Sequence, residues 1–365
     1  MLVKSIKIDN FRCFNKTKGN DFGRINLIGG KNNAGKTALL EALFLMNEPS
    51  NRTIHYLLKF RREDTDFIKN MPKRAWDNFF FKGLKENEIS ISSKSDDNIE
   101  RTVKIRCEES VQEFIKNVQK NKEEEDLMAF FSSLNNKDEI KSALHIDAFV
   151  ETNKLNSNVF IASADGIVGH GIPHSFRNTH LIPASYKQSN EDLAAAFDKA
   201  KLEDKADILL DAFRVIDTSL EKVDTLSIGK SAIFLKRQGE GYMPLTLYGD
   251  AMNKIADFIL RIVNNKNSLI LLDEIENGIH HTHQEKLWEM IFSLTKQYDV
   301  QLFATSHSEE MIQAFKNVVT KFNYQNEARY FELARHSISN EITIQKLSMD
   351  VLEDKLSNKK PVRGE

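Results

Sequence analysis

The run Gly30-Lys31-Asn32-Asn33-Ala34-Gly35-Lys36-Thr37 constrains this chain more than any other feature. It fits the pattern G-x-x-x-x-G-K-[ST] of a phosphate-binding loop. The glycines of such a loop let the backbone turn tightly, so that N–H groups point inward at phosphate oxygens. Lys36 is placed to reach the β- and γ-phosphates, and Thr37 offers a hydroxyl to Mg²⁺. The residues expected to contact nucleotide are Asn32, Asn33, Ala34, Gly35, Lys36, Thr37 and Ala38.

The residues on either side of this loop strengthen the interpretation. Residues 24–28 predict a short buried strand, and residues 38–46 are a run of good helix formers. A glycine turn before an ordinary helix is the alternative. The order of strand, glycine loop and helix favours phosphate binding, because the positive end of the helix then faces the anion.

A second motif lies far along the chain. Residues 267–272 predict a buried parallel strand, and Asp273 and Glu274 follow at its carboxyl end. Ligands bind at that end of parallel strands in α/β sheets. Asp273 is suited to hold Mg²⁺, and Glu274 is suited to polarise an attacking water molecule. An acidic exit from an ordinary strand is the alternative, and the presence of the phosphate loop weakens it.

A histidine follows the next predicted strand. Residues 300–305 predict another, mostly apolar strand, and His307 follows it after Ser306. From the end of that strand, the imidazole could donate a hydrogen bond to a γ-phosphate or to the attacking water. A lone histidine is usually structural, but the order of phosphate loop, acidic pair and histidine favours a functional role.

Composition sets broad limits. The 365 residues suffice for two or more core-forming units. There are 51 Lys and Arg and 53 Asp and Glu, a net charge of −2, which gives no global attraction to nucleic acid or an anionic membrane. Cys13 and Cys107 are the only cysteines, so no disulfide framework is expected. No signal peptide and no bilayer-spanning run are recognisable, so we expect a cytoplasmic protein.

Two features leave alternatives open. Arg12, after a first predicted strand at residues 2–8, is either a solvated turn residue or a phosphate contact. Residues 48–85 interleave basic and aromatic side chains. That mixture suits either nucleic-acid binding or an aromatic subcore with charged outer positions.

The remaining segments predict a mixed architecture. Residues 88–92 and 101–106 alternate like antiparallel strands, and residues 145–185 are rich in strands. Residues 109–144 predict a helical insertion, and residues 190–222 a helical, lid-like subdomain.

Other parts of the chain are less informative. His170, His174 and His180 lie in the strand-rich stretch, but their spacing matches no tight metal-ligand set. Residues 329–334 and 341–347 predict closing strands, and residues 357–365 form a polar tail.

Together, these motifs resemble an ABC-type ATPase of the RecF, SMC and OLD group, within the broad class of AAA family ATPases. The resemblance is carried by residues 8–12, the phosphate loop, the run from Leu271 to His280 and the run Ala304-Thr305-Ser306-His307. The run Glu-Asn-Gly-Ile-His at 276–280 is similar to the D-loop of OLD-like ATPases.

The resemblance implies an α/β fold, namely a P-loop NTPase of ABC ATPase type. We expect a mixed central sheet with an antiparallel β-subdomain and a helical insertion. The ATPase domain would span residues 1–350 and be formed from both ends of the chain. The implied reaction is hydrolysis of ATP with Mg²⁺.

The resembled family also uses a signature segment that meets the γ-phosphate bound to the opposite subunit. Residues 244–254 lie at the expected place, but Leu247 stands at the serine position and Ala251 replaces a second glycine. Thr246 is expected to supply the hydroxyl instead, beside Gly249. This departure bears on trans activation and on the rate of hydrolysis. Gln188 is a candidate for the glutamine loop.

One phosphate loop and one acidic strand form half of such a site, so the resemblance implies an ATP-dependent homodimer or an assembly of dimers. Only 365 − 307 = 58 residues follow His307, with no second acidic cluster, so no fused nuclease is expected. Three functions stay open. The chain could be an ATPase controlling a nearby-encoded effector protein in prokaryotic anti-phage defence, a RecF-like DNA-binding repair ATPase, or a weakly hydrolysing nucleotide sensor. The near-neutral charge weakens the second, and the altered signature supports the third.

Overall fold

The computed structural model describes residues 1–61, 65–109, 141–184 and 188–358. Its strands are β1 (Val3–Phe11), β2 (Phe14–Asn20), β3 (Ile25–Gly30), β4 (Ile89–Ser95), β5 (Glu100–Glu108), β6 (Ser142–Val150), β7 (Asn153–Ser163), β8 (Gly166–His170), β9 (Thr179–Ile182), β10 (Leu220–Ile228), β11 (Lys230–Arg237), β12 (Tyr242–Pro244), β13 (Leu269–Leu272), β14 (Gln301–Thr305), β15 (Ala328–Arg335) and β16 (Ile342–Leu347). Its α-helices are α1 (Lys36–Asn47), α2 (Asn51–Phe60), α3 (Thr65–Asn70), α4 (Asn190–Leu202), α5 (Ala206–Arg214), α6 (Asp250–Asn264), α7 (His281–Gln297), α8 (Glu309–Lys321) and α9 (Met349–Ser357). Short 3-10 turns occur at Pro72–Arg74, Asp77–Phe79, Phe81–Gly83 and Leu245–Tyr248.

The chain forms two compact units, each built from separate stretches of sequence. Unit 1 comprises Met1–Asp21, Thr37–Arg177 and Ala334–Ile344. Unit 2 comprises Phe22–Lys36, Asn178–Leu333 and Gln345–Glu365. The phosphate loop therefore belongs to unit 2 up to Lys36, and the chain continues through Thr37 into unit 1.

Unit 1 contains a seven-stranded sheet in the order β2-β1-β4-β5-β6-β7-β8, and all of its neighbouring strands are antiparallel. Alternate residues of β4 and β5, such as Ile89 and Ile91, or Val103 and Ile105, are buried. This is the pattern of strands with one face on the core. The predicted antiparallel strands at residues 88–92 and 101–106 are confirmed, and Ile89 pairs with Ile105.

The basic and aromatic stretch at residues 48–85 supplies an aromatic subcore to unit 1. Trp76, Phe79 and Phe80 are buried, and the ring of Trp76 contacts those of Phe79 and Phe160. Buried rings are not available to stack on bases. For these three side chains the subcore interpretation therefore holds, whereas Phe67 is exposed.

Unit 2 is organised around a sheet with the order β16-β15-β3-β14-β13-β9. Strand β3 is parallel to both β14 and β15, and β13 is parallel to both β14 and β9. All residues of β3, β13 and β14 are buried, as expected for parallel strands covered on both faces. The predicted strand, loop and helix around residues 24–46 are confirmed, with the helix beginning at Lys36.

The core of unit 2 includes Trp288 and Phe292 of α7 and Phe315 of α8, whose rings contact one another. Strands β10, β11 and β12 form a separate three-stranded antiparallel sheet.

Two predicted boundaries differ from the structure. The helical segment predicted at residues 190–222 ends with α5 at Arg214, and its last residues, 220–222, begin β10. The run Leu220–Ile228 carries β-branched residues at intervals and pairs with β11, and that pairing overrides helix formation. Most of the predicted insertion at 109–144 lies outside the described residues, and residues 142–144 belong to β6. Within the described part of the chain, no helix is both long and apolar enough to span a bilayer.

Candidate nucleotide site

Three neighbouring strands of unit 2 end at one edge of the sheet. The phosphate loop follows β3, the residues Ser306 and His307 follow β14, and the acidic pair follows β13. Because these strands are parallel and adjacent, their carboxyl ends bring the three segments together. The sheet thus unites residues that the sequence separates by more than two hundred positions.

The phosphate loop takes the left-handed backbone conformations that a tight turn requires. The φ angles are +131° at Gly30, +61° at Asn33 and +95° at Gly35. A Cβ atom added to Gly30 would lie 2.4 Å from the carbonyl oxygen of Leu333 in β15. Glycine is therefore needed at position 30 for two reasons, the positive φ and the close approach of the β15 backbone. Asn32 and Asn33 are exposed, whereas Ala34 and Ala38 are buried.

Lys36 lies inside this loop. Its side chain is only 5% exposed, and its ammonium group donates to the carbonyl oxygens of Gly30 at 2.7 Å and Lys31 at 2.8 Å. Burial lowers the pKa of Lys36 to about 8, against the opposing attraction of nearby carboxylates, above all Asp273. A buried ammonium that donates to two carbonyl oxygens is suited to receive an anion.

A buried network fixes Asp273. The Thr305 hydroxyl, at the end of β14, donates to Asp273 Oδ1 at 2.7 Å and accepts from the Glu274 N–H at 2.8 Å. Asp273 is 5% exposed and Thr305 is fully buried. One hydroxyl therefore ties the acidic pair to the neighbouring strand.

Glu274 and His307 face each other across the site. Glu274 has a φ of +49°, and its Oε2 accepts a hydrogen bond from the Asn277 amide at 2.7 Å. His307 Nε2 lies 3.7 Å from Glu274 Oε1. Burial lowers the pKa of His307, and the positive charge of Lys36 lowers it further. A neutral imidazole beside a carboxylate can donate one hydrogen bond without carrying a charge.

Two residues of the site were not singled out from the sequence. Lys254 of α6 donates to the carbonyl oxygens of Asp273, at 3.3 Å, and Glu274. Glu276 accepts a hydrogen bond from the His307 main-chain N–H through Oε1 at 2.6 Å. Burial lowers the pKa of Lys254 to about 8, and Glu276 is the strongest opposing charge. The third carboxylate of the run Asp-Glu-Ile-Glu was the available signal for Glu276.

Arg12 has partners within unit 1. Its Nε donates to Glu41 Oε2 of α1 at 3.0 Å, and its Nη1 donates to the Asn78 carbonyl at 2.8 Å. The guanidinium lies over the Phe79 ring at 4.5 Å. Its side chain is 7% exposed, so Arg12 is not a solvated turn residue. A direct phosphate contact by Arg12 stays a prediction.

The signature segment lies on the surface of unit 2. Thr246 and Gly249 are exposed, Leu247 is 65% exposed, and Gly249 has a φ of +87°. Within the described residues, no hydrogen bond or ion pair links Thr246 or Gly249 to the phosphate loop. Behind the segment, Gly278 packs closely on Ala251, since a Cβ atom at Gly278 would lie 3.1 Å from the Ala251 nitrogen.

The residues present fit a magnesium ion. Asp273 supplies a buried carboxylate that is already oriented by Thr305. Thr37 lies in the first turn of α1, and its part in binding the ion stays a prediction. Hard oxygen donors of this kind suit Mg²⁺, which commonly takes one or two protein ligands and completes its shell with water and phosphate. Among the described residues, no group of three or more His, Cys, Asp or Glu side chains forms a metal site, His170, His174 and His180 included. Gln188 is half-buried, and its role stays a prediction.

Comparison with known proteins agrees with this geometry. A family model described as "AAA domain, putative AbiEii toxin, Type IV TA system" matches residues 25–312. An "ATP/GTP phosphatase" of Helicobacter pylori is 23% identical over 358 residues, which cover 90% of this chain and 92% of that protein. An uncharacterized protein of Methanocaldococcus jannaschii is 32% identical over 103 residues, 28% of this chain and 47% of that protein.

One solved structure shows the same fold. An SMC head bound to the C-winged helix domain of ScpA superposes with a TM-score of 0.51 and 9% identity, covering 97% of this chain and 100% of that chain. The predicted fold class, a P-loop NTPase of ABC ATPase type, is confirmed. Since the family model spans most of the sequence, the chain belongs to this AAA-domain family and is an ATPase.

Proposed function

We propose that the site of unit 2 binds ATP with Mg²⁺ and hydrolyses it to ADP and phosphate through the residues predicted from the sequence. The observation that carries the proposal is the convergence of Lys36, the acidic pair and His307 at the ends of three adjacent parallel strands. Binding of the triphosphate would draw on the loop N–H groups of residues 32–38 and on the Lys36 ammonium.

Each side chain has a distinct part in this reaction. Glu274 accepts a proton from the attacking water, whose oxygen forms the new bond to the γ-phosphorus as the bond to ADP breaks. His307 donates a hydrogen bond to the γ-phosphate or to that water. Thr37 and Asp273 would hold Mg²⁺. The ion neutralises charge on the phosphates when bound.

Replacement of Glu274 tests the chemical step. In Glu274→Gln the side chain keeps its shape but cannot take a proton, so phosphate release should fall by about 10²-fold or more while nucleotide affinity is kept. Phosphate release and nucleotide binding should be measured separately, with and without DNA. Unchanged turnover in the variant would contradict the role of Glu274. Strong stimulation by DNA would favour the RecF-like function.

We also propose that two copies pair head to tail around ATP. The support is the exposure of Thr246, Leu247 and Gly249, which leaves this segment available to a second copy. A ligand that contacts both copies stabilises the pair, and hydrolysis would release it. The contact of Gly278 with Ala251 links the segment to the acidic turn of its own chain.

Sedimentation measures this pairing. Glu274→Gln should sediment as a dimer, or as an assembly of dimers, with ATP and as a smaller species without it. Gly249→Arg, which places a charged side chain on the exposed segment, should stay small in both states while binding nucleotide. Identical mass of Glu274→Gln with and without ATP would argue against an ATP-dependent dimer.

The biological role that we propose is control of an effector protein in prokaryotic anti-phage defence. The family description, which names a toxin system, and the OLD-like run at residues 276–280 support it. The product of the adjacent gene should co-purify with Glu274→Gln in the presence of ATP and dissociate when ADP replaces it. Equal recovery in both nucleotides would contradict control by hydrolysis.

A nucleotide sensor is the second candidate. Leu247 and Ala251 depart from the signature of the resembled family, and this favours slow hydrolysis. The sensor would bind ATP and form dimers while the parent protein releases phosphate no faster than Glu274→Gln.

A further inference from the structure

Glu276 has no role in the reaction proposed above, although it contacts a residue that does. Its Oε1 accepts the His307 main-chain N–H at 2.6 Å. Its Oε2 is buried and has no hydrogen-bond partner within the described ranges. A buried carboxylate oxygen without a donor costs free energy, so its retention at this place calls for a functional reason.

The surroundings of Glu276 are the charged groups of the site. Lys36 of the phosphate loop and Lys254 of α6 are both attracted to it. Asp273 and Glu274 attract the same two ammonium groups. All three carboxylates oppose the lowering of the His307 pKa. Glu276 therefore lies among these groups, two residues beyond the acidic pair.

The contact with His307 is specific. Along this loop, the Ser306 N–H donates to the Ile28 carbonyl at 3.0 Å and the Ser308 N–H donates to Ser306 Oγ at 3.1 Å. The N–H between them, at His307, is the one held by Glu276. The His307 main chain is thus anchored to the acidic turn itself, which also carries Glu274. One hydrogen bond therefore joins the segment that carries the imidazole to the segment that carries Glu274.

We propose that Glu276 is a positioning residue for ATP hydrolysis, which acts by fixing the His307 main chain so that the imidazole stays aligned with Glu274. The inference rests on the proposed function. Glu276 would act on the hydrolysis of the same nucleotide, and its replacement should change turnover rather than nucleotide binding. Misplacement of a reacting group by about 1 Å can cost on the order of 10²-fold in rate.

Three replacements of Glu276 distinguish anchoring from other roles. Glu276→Ala removes the acceptor and should lower kcat by about 10²-fold, with the Kd for ATP changed by less than about threefold. Glu276→Gln keeps an amide oxygen at the same reach and should restore kcat to within about fivefold of the parent. Glu276→Asp, which shortens the reach, should behave like the alanine variant and replaces it if that variant does not bind nucleotide. Glu221→Ala, at an exposed position of β10, is the matched control and should match the parent.

A double-mutant cycle supplies the decisive measurement. If Glu276 acts through His307, Glu276→Ala should lower kcat little further in a His307→Ala background. Losses that multiply in the double variant would overturn the proposal, as would parental kcat in Glu276→Ala. A parent that shows no turnover while Glu221→Ala and parent both bind ATP would refute the proposed hydrolysis instead, so the two failures are distinguishable.

Discussion

At the scale of single residues, neighbouring contacts hold Lys36 in buried surroundings and Glu274 in an unfavourable backbone conformation. Lys36 is buried and bonds to two loop carbonyls, and burial lowers its pKa to about 8. The backbone of Glu274 has a left-handed conformation that residues other than glycine rarely adopt. Such conformations persist where surrounding contacts hold them, and here Thr305 and Asn277 do so.

Removal of the Lys36 ammonium should separate binding from folding. Lys36→Ala should weaken ATP binding by about 10²-fold or more, because a charge-assisted phosphate contact in a buried site is lost. The melting temperature should be unchanged or higher, since a buried charge is removed. Lys31→Ala, at the exposed lysine of the same loop, is the control and should bind nearly as the parent does. Parental affinity in Lys36→Ala would contradict the assignment of the loop.

A methyl group at Gly30 tests the backbone geometry. Gly30→Ala should lower the free energy of unfolding by more than about 2 kcal/mol, because left-handed strain adds to overlap with the Leu333 carbonyl. Gly239 also has a positive φ, but no atom lies within 4 Å of a Cβ added there. Gly239→Ala should therefore lower the free energy of unfolding by only about 1 kcal/mol. Chemical denaturation of both variants measures the difference. Equal losses would show that the close approach of β15 is unimportant.

At the scale of elements, helix α1 is held within unit 1 by a buried carboxylate. Glu41 is fully buried, and its two oxygens accept hydrogen bonds from Arg12 at 3.0 Å and Arg61 at 2.6 Å. A buried carboxylate needs such partners, because an unpaired charge in the interior is strongly destabilising. Helix α1 is therefore anchored at Glu41 by the residues that directly follow β1 and α2.

Loss of this carboxylate should damage the fold of unit 1. Glu41→Ala should lower the free energy of unfolding by about 3–5 kcal/mol, because the buried Arg12 guanidinium loses its counter-charge. Arg61→Ala should cost no more than about 1 kcal/mol, since the Arg61 side chain is 39% exposed and its charge is screened by water. Thermal unfolding measures both. A larger loss in Arg61→Ala would reverse this assignment of the anchor.

At the scale of the whole molecule, buried titratable groups link the stability of the fold to pH. His145 in β6 of unit 1 is 7% exposed, and burial lowers its pKa to about 4. The positive charge of Arg106 lowers the pKa further, while Asp147 opposes the shift. The folded chain therefore keeps this imidazole neutral at a pH where the unfolded chain protonates it.

The sign of the pH effect follows from proton counts. Between pH 6.5 and about 4 the unfolded chain binds a proton at His145 that the folded chain does not, so stability falls as pH falls, by at most about 1.4 kcal/mol per pH unit. Denaturation of parent and His145→Gln at pH 6.5, 6.0 and 5.5 should show a smaller slope in the variant, a comparison at fixed pH that cancels other groups. An identical slope in the parent and in His145→Gln would contradict the role of His145.

The sequence by itself determined the phosphate loop, the acidic pair and His307, because each needs particular residue types at fixed spacing beside an apolar strand. It also determined the paired strands at residues 88–106, since apolar and polar residues alternate along both of them. For Arg12 the sequence left two alternatives open, a solvated turn residue or a phosphate contact. For residues 220–222 it predicted a helix where the structure has a strand.

Only the tertiary structure decided the connections between these segments. The hydrogen bonds of Thr305 to Asp273 and Glu274, and of Glu276 to the His307 main chain, depend on strands that lie side by side. The contact of Lys254 with the Asp273 carbonyl depends on how helix α6 packs. Local spacing cannot reveal them, because partners tens to hundreds of positions apart meet only when the sheet order is fixed. The physical reason is that sheet pairing is non-local, whereas the loop that binds phosphate is made by consecutive residues.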